Sequence, residues 1–422
     1  MRTHGLLRWS EKYFKTDMVY ATKGNFWQMS GQMANSIMSI GLLFLFANLL
    51  PKETYGTYRY ILSLASILSV LTLTGMNQAV SQAVANGREG VFKTSVKYQL
   101  KWNIMQLAAF WILSGYYFLN GNVTLSISFF VLGLVSPIIA ALNTYSAFLD
   151  GKRNFKLNNL FSIAGTAIYV AGMIAAIMLS KESISLVIAY SLATLVSNII
   201  FYFSVLKLYN PGREEAKDTL KYGRELTYIG FMNPIVSQID KIILSHFWGA
   251  TALAVYSLSM AVPERAISII KSWVSIGLPK FASKTPEEIN QVFYLRVFQG
   301  MGVGLICFIG YILIAPYMFK YLIPTYMEGL LYSQIIAISL ITAIPNRYTS
   351  LVMTSQKLSG VIFTNSLIQS IIKIVLYTIM GMWRGIMGLV WAFVLMNMTS
   401  MFINIAMWRR WFLKTKFNSL PR

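Results

Sequence analysis

VTLSISFFVLGLVSPIIAALNTYSAFL, residues 123–149, runs without a single charged side chain. It exceeds the roughly 20 apolar residues that a helix needs to cross a hydrocarbon core of about 30 Å. The neutral turn NGN after Leu119 precedes it, and the basic connection GKRNFK follows Asp150. Lys and Arg collect in cytoplasmic loops, so a span with one neutral and one basic flank carries its own orientation. This one stretch sets the class, all-α integral membrane protein, and the direction of the chain through the bilayer.

Outward from it the pattern repeats. Of 422 residues, 56% are apolar and only 12% charged, against roughly 25% charged in a soluble domain. Apolar runs recur about every 30 residues, giving about twelve spans. They are residues 26–50, 57–78, 100–119, 123–149, 157–179, 183–206, 226–248, 250–274, 297–319, 329–354, 360–382 and 385–408. Pro263, Glu264 and Arg265 interrupt the eighth. The expected segments are a cytoplasmic tail 1–24, a six-helix bundle 25–208, a cytoplasmic linker 209–225, a second six-helix bundle 226–408 and a cytoplasmic tail 409–422. The first of these lacks a signal-peptide h-region, and its Trp9, Tyr13 and Phe14 suit an interfacial helix.

Charge fixes the orientation independently. With both ends inside, about 25 Lys and Arg fall in inner segments and about 4 in outer ones. The excess of Lys+Arg 36 over Asp+Glu 15 thus reads as a topology signal with headgroup attraction rather than nucleic-acid binding. Outer loops such as SKE after Leu179 are too short to hold an outer catalytic domain. One cysteine and two histidines cannot build a zinc site, so no metal or cofactor is expected.

The linker divides six spans from six, as in a duplicated transporter. FANLLPKETYGTYRYILSL from Phe46 aligns with LSHFWGATALAVYSLSMAV from Leu244, pairing Leu50 with Trp248, Pro51 with Gly249 and Tyr58 with Tyr256.

Polar residues within spans are costly in lipid and mark partners, water or ligand. Gln28, Gln32 and Asn35 with Ser36 and Ser39 form one helical stripe in the first span, and Asn365, Gln369 and Lys373 form another in the eleventh. Such stripes either glue helices together or line a hydrated cavity. Several of them, two with a cation in or beside them, favour the cavity. Arg59, Lys241, Arg265, Arg347 and Lys373 against Asp240 and Glu264 make that cavity net positive, which suits a phosphate or pyrophosphate. Lys101 and Lys271, near inner span ends, read as headgroup contacts. Internal ion pairing is the alternative for each charge, and it explains Asp240 and Glu264 as well as proton or sodium coupling does.

GNFWQMSGQMANSIMSIGLLFLFANLLPKETYGTYRYILSLASILSVLTLTGMNQAV, from Gly24, resembles the opening hairpin of the polysaccharide-biosynthesis flippases of the multidrug/oligosaccharidyl-lipid/polysaccharide superfamily. The resemblance rests on Leu50, Pro51, Gly56 and Tyr58. QIDKIILSHFWGATALAVYSLSMAVPE is similar to that family's seventh and eighth spans, with Asp240 and Lys241 in the usual acidic-basic position. The resemblance implies two six-helix bundles around a central cationic cavity. It further implies a polyprenyl-pyrophosphate-linked oligosaccharide moved across a bacterial inner membrane, with membrane lipids, a polysaccharide polymerase and a chain-length regulator as partners. A cation-coupled drug exporter of the same superfamily is the alternative, and it would favour acids in the cavity.

Overall fold

A computed structural model describes the backbone of residues 18–212, 216–275, 284–356 and 358–418, and the side chains of residues 30–212, 216–274, 284–356, 358 and 360–414. Among them there is no strand, as hydrocarbon demands: only helices and closed barrels satisfy every backbone group within lipid. The helices are α1 (Met18–Leu49), α2 (Lys52–Leu68), α3 (Met76–Ala85), α4 (Val91–Trp102), α5 (Ile104–Leu119), α6 (Val123–Leu142), α7 (Thr144–Gly151), α8 (Phe155–Leu179) and α9 (Ser183–Tyr209). They continue as α10 (Lys217–Gly230), α11 (Met232–Ser275), α12 (Pro286–Leu322), α13 (Gly329–Ala337), α14 (Leu340–Ser355) and α15 (Ser359–Asn418).

By length and composition, eight described helical stretches can cross a bilayer. The number is nine if Lys52–Leu71 and Met76–Ala85, bent by 59°, form one broken span. Two of the long stretches are each broken by a kink. α11 has 44 residues and α15 has 60, far beyond the roughly 20 that a span requires. Each contains one glycine outside helical geometry: Gly249 at φ 83°, ψ 175° and Gly385 at φ 54°, ψ −128°. A side chain is strained at such φ values, so glycine sits at each kink. Pro263, by contrast, is accommodated inside α11, and Glu264 and Arg265 do not end the helix.

The chain divides into two compact units, the first Ser30–Ala254 and the second Val255–Arg422 together with the residues up to Met29. In the first, the turns have local causes. Asn122 caps α6 by accepting from the Leu125 amide at 3.0 Å, and Asn154 caps α8 through the Leu157 amide at 3.1 Å. Asn210 takes the left-handed conformation (φ 39°) that closes α9. The expected linker 209–225 is partly helical, since α10 begins at Lys217. Polar side chains bond across helices: Gln99 donates to Thr144 at 2.8 Å, and buried Asn103 donates to the Pro137 carbonyl at 2.8 Å. An aromatic cluster ties the basic end together, with Phe92 against Phe148 at 4.8 Å and Phe161 stacked on Phe201 at 4.6 Å. Beside it Lys152 pairs with Glu89.

The two aligned segments turn through different backbone geometry at their paired positions. Pro51 (φ −58°, ψ 142°) precedes α2 and Gly249 precedes the second arm of α11, while the paired Tyr58 and Tyr256 are both buried. Gly56 packs so tightly against Ala250 that an added Cβ would lie 1.8 Å from the Ala250 carbonyl oxygen.

In the second unit, α12 packs on α14 through Gly300 and Gly304, a G-x-x-x-G pair. Small residues let membrane helices approach closely where no hydrophobic force draws them together. A Cβ on Gly304 would stand 2.5 Å from the Leu340 carbonyl oxygen, whereas one on Gly302 meets nothing within 4 Å. Phe293 stacks on Trp408 at 5.6 Å, and the Trp408 indole N–H donates to Asn290 at 3.3 Å. Gly304→Leu is expected to cost about 3 kcal/mol by overpacking and to lower the melting temperature of the protein in detergent, while Gly302→Ala leaves it within about 0.5 kcal/mol. A thermal melt of both variants checks the contrast.

Candidate functional site

The second unit holds a cavity of about 390 Å³ lined by α11, α14 and α15. On α11, Glu264, Ser268, Lys271 and Ser272 recur at i, i+4, i+7 and i+8 and so present one polar face. α14 adds Arg347, and α15 adds Phe393 and Asn397. Two cations and one carboxylate give the lining a net charge of +1. Lys271 lies within electrostatic reach of both Arg347 and Glu264.

A continuous ladder of amides stands behind Arg347. Asn365 Nδ2 donates to Asn404 Oδ1 at 2.6 Å, and Gln369 Nε2 donates to Asn365 Oδ1 at 2.8 Å. Ser400 donates to Gln369 Oε1 at 2.8 Å. Asn404 Nδ2 donates to Asn346 Oδ1 at 3.2 Å, and Asn346 Nδ2 reaches the Asn397 carbonyl at 2.9 Å. The ladder thus joins α14 to both arms of α15 and ends at Asn346 and Asn397, one next to Arg347 in the chain and the other in the cavity wall.

Magnitudes separate the two roles. A hydrogen bond between membrane helices contributes about 0.6 kcal/mol on average, whereas a cation at mid-bilayer costs about 2.5–3.5 kcal/mol. The amide ladder is self-sufficient as helix glue. Lys271 and Arg347 outnumber the one carboxylate in the described lining of the cavity.

The structure distributes the sequence-derived candidates as follows. Glu264 and Arg347 share the cavity; Arg265, one position on, is exposed and does not line it. Lys373 lies 5.1 Å from the Tyr377 ring centroid, a cation–π contact one helical turn away. Asn365 and Gln369 belong to the amide ladder rather than to the wall. In the first unit, Asn35 donates to Ser162 at 2.8 Å, and Gly31 is packed against Asn159, so the first-span stripe faces α8. Gln32 is half-buried, and the Gln28 side chain lies outside the described residues. Lys241 donates to Gln238 at 2.7 Å, and its neighbour Asp240 is only 5% exposed. Arg59 is half-buried beside the Tyr58–Tyr169 hydroxyl pair.

Lys271 corrects the sequence reading, which assigned it to lipid headgroups. Its spacing from Glu264 was the available signal, because i+7 on a helix that already carries an intramembrane acid returns to the same face. Asn397, Ser268 and Ser272 were also missed.

The family model for polysaccharide biosynthesis proteins matches residues 21–276. Among curated protein sequences there is no significant match. Solved structures with the same fold include an inward-facing multidrug resistance MATE family transporter of the MOP superfamily, at TM-score 0.68 and 15% identity, covering 94% of this chain and 96% of that one. The outward-facing conformation of such a transporter matches at TM-score 0.63 and 14% identity, covering 94% and 97%. A MOP superfamily transporter from Pyrococcus furiosus, described as having a binding pocket of reverse polarity that suggests a different function, matches at 0.57 and 15%, covering 94% and 95%. At these identities the likeness shows the fold alone.

Asn404 accepts from two amides and donates to a third, so Asn404→Leu strands three partners. It is expected to cost about 2 kcal/mol, whereas Ser400→Ala, at the edge of the ladder, costs about 0.6 kcal/mol. Thermal melts of the two purified variants measure the difference.

Proposed function

Because the chain belongs to the polysaccharide biosynthesis protein family, we propose that it is a flippase for polyprenyl-pyrophosphate-linked oligosaccharide. The repeat unit of an O-antigen or capsule would pass from the inner to the outer leaflet of a bacterial inner membrane. The observation that carries this reading is the cavity in which Lys271 and Arg347 outnumber Glu264. A pyrophosphate accepts hydrogen bonds from both cations, and the planar Arg347 guanidinium binds two of its oxygens at once. Ser268, Ser272 and Asn397 offer hydroxyls and an amide to the first sugar. The polyprenyl tail stays in lipid throughout, so no apolar chain crosses water.

Twelve spans follow if α11 and α15 count twice at Gly249 and Gly385, if α2 with α3 counts once, and if α5 and α13 with α14 each count as one. On that count both ends lie on the basic, cytoplasmic side. The same fold occurs in inward-facing and outward-facing forms, and this supports alternating access here. Arg59, Lys241, Arg265 and Lys373 are the further basic groups within spans on this reading. Asp240 and Glu264 are the groups through which a proton or sodium gradient would couple. A polysaccharide polymerase and a chain-length regulator are the partners that such a product requires.

A second reading has an observation of its own. Glu264 places an acid in the cavity, and solved proteins of this fold are described as multidrug transporters. The two readings separate in proteoliposomes. A flippase translocates a fluorescent polyprenyl-pyrophosphoryl oligosaccharide, and Lys271→Ala or Arg347→Ala slows it about 10- to 100-fold, since a lost hydrogen bond to charge is worth about 1.5–3 kcal/mol. Glu264→Gln leaves that rate within a few-fold if the acid only tempers the cations. Uptake of a cationic dye that Glu264→Gln abolishes, with no lipid flipping by the wild type, favours the exporter.

A further inference from the structure

A second concavity of the Val255–Arg422 unit, about 460 Å³, runs along α12 where it meets α14. It has a charged end and an oily end. Lys284, Arg296 and Gln299 form the first; Val292, Val303 and Ile344 line the second. Arg296, Gly300 and Val303 stand at i, i+4 and i+7, so one helix face leads from the guanidinium down to an aliphatic wall over about 10 Å. Arg296 is also the last charged residue before the apolar run 297–319. The charged end therefore sits where the helix leaves the oily interior, at headgroup depth.

The site is built rather than incidental. Arg296 donates to Gln299 Oε1 at 3.1 Å, which steers the guanidinium along the groove. Gln356, past the end of α14, donates to the Lys284 carbonyl at 3.2 Å and holds that residue against the mouth. Gly300 makes the floor, and a Cβ there would lie 2.7 Å from Ile344. The lining carries no carboxylate. Of the nearby acids, Glu288 is committed to the capping box with Thr285, and Glu287 does not line the groove. Two cations at headgroup depth, continuous with an aliphatic trough, match an amphiphile with an anionic head.

We propose that this groove binds one anionic phospholipid of the surrounding leaflet, its phosphate between Lys284 and Arg296 and an acyl chain against Val303 and Ile344. A phospholipid is favoured over the transported lipid because the groove is lined by different residues from the Lys271–Arg347 cavity, and its described lining offers sugars only Gln299 and the Tyr348 hydroxyl beside the two cations. The inference does not rest on the flippase reading, and a phospholipid held there would brace α12 on α14 whatever the cargo.

Native mass spectrometry of the full-length protein with phosphatidylglycerol or phosphatidylcholine tests it. One phosphatidylglycerol is expected to survive delipidation at about ten times the occupancy of phosphatidylcholine. Lys284→Ala with Arg296→Ala should abolish that preference. Arg409→Ala with Arg410→Ala, which removes equal charge from exposed positions away from the groove, should preserve it. Val303→Trp fills the trough at a half-exposed position without touching charge and should also displace the lipid, so the result does not hang on one variant. Equal retention of both lipids, a preference that survives the groove variants, or equal loss in Arg409→Ala with Arg410→Ala would overturn the proposal. So would displacement by an equimolar polyprenyl pyrophosphate, which would assign the groove to the transported lipid.

Discussion

In hydrocarbon no water completes a broken hydrogen bond, and the rest of this structure follows from that constraint. It makes the described chain helical and sends the Asn and Gln side chains to partners on neighbouring helices. It also places the kinks and turns at special backbone positions. Gly249 and Gly385 adopt conformations that other residues resist, and Pro51 contributes its fixed φ ahead of α2. With no hydrophobic force between helices in lipid, close packing supplies the cohesion, and Gly304 against Leu340 and Gly56 against Ala250 are two of its close approaches.

The same constraint separates polar groups that bond to one another from those that line a cavity. Asn346, Asn365, Gln369 and Asn404 satisfy one another, and their ladder leaves little for a substrate. Lys271 and Arg347 differ in lining a cavity together with Glu264. By fixing Asn346 and Asn397, the ladder sets the frame in which Arg347 is presented. Structural glue and candidate site are neighbouring layers of one arrangement, which explains why intramembrane polarity is so concentrated in α14 and α15.

Much of this was legible in the chain itself. Apolar runs placed span boundaries at 248–250 and 382–385, where the helices are kinked at the positive-φ residues Gly249 and Gly385. Charged residues within spans are few and mostly basic, and two of those expected in a cavity, Glu264 and Arg347, line one. The identity of the cavity's members was only partly legible. Glu264 and Arg347 were found because they interrupt apolar runs, but Lys271 lies near a span end, where a lysine ordinarily reaches headgroups. Its place on the Glu264 face appears only when the helix is followed through Pro263. The stripe Asn365–Gln369 was read as cavity lining, whereas its partners, Ser400 and Asn404, arrive after a reversal at Gly385. Which polar stripe meets another and which meets water is a tertiary fact that no local periodicity contains.

The central claim is that the cavity between α11, α14 and α15 holds a pyrophosphate. A structure of the protein with a short-chain prenyl pyrophosphate tests it most directly. The account predicts both phosphates inside the cavity, within hydrogen-bond distance of Lys271 Nζ and the Arg347 guanidinium. A pyrophosphate bound elsewhere, with the cavity instead accepting a cation beside Glu264, would contradict it.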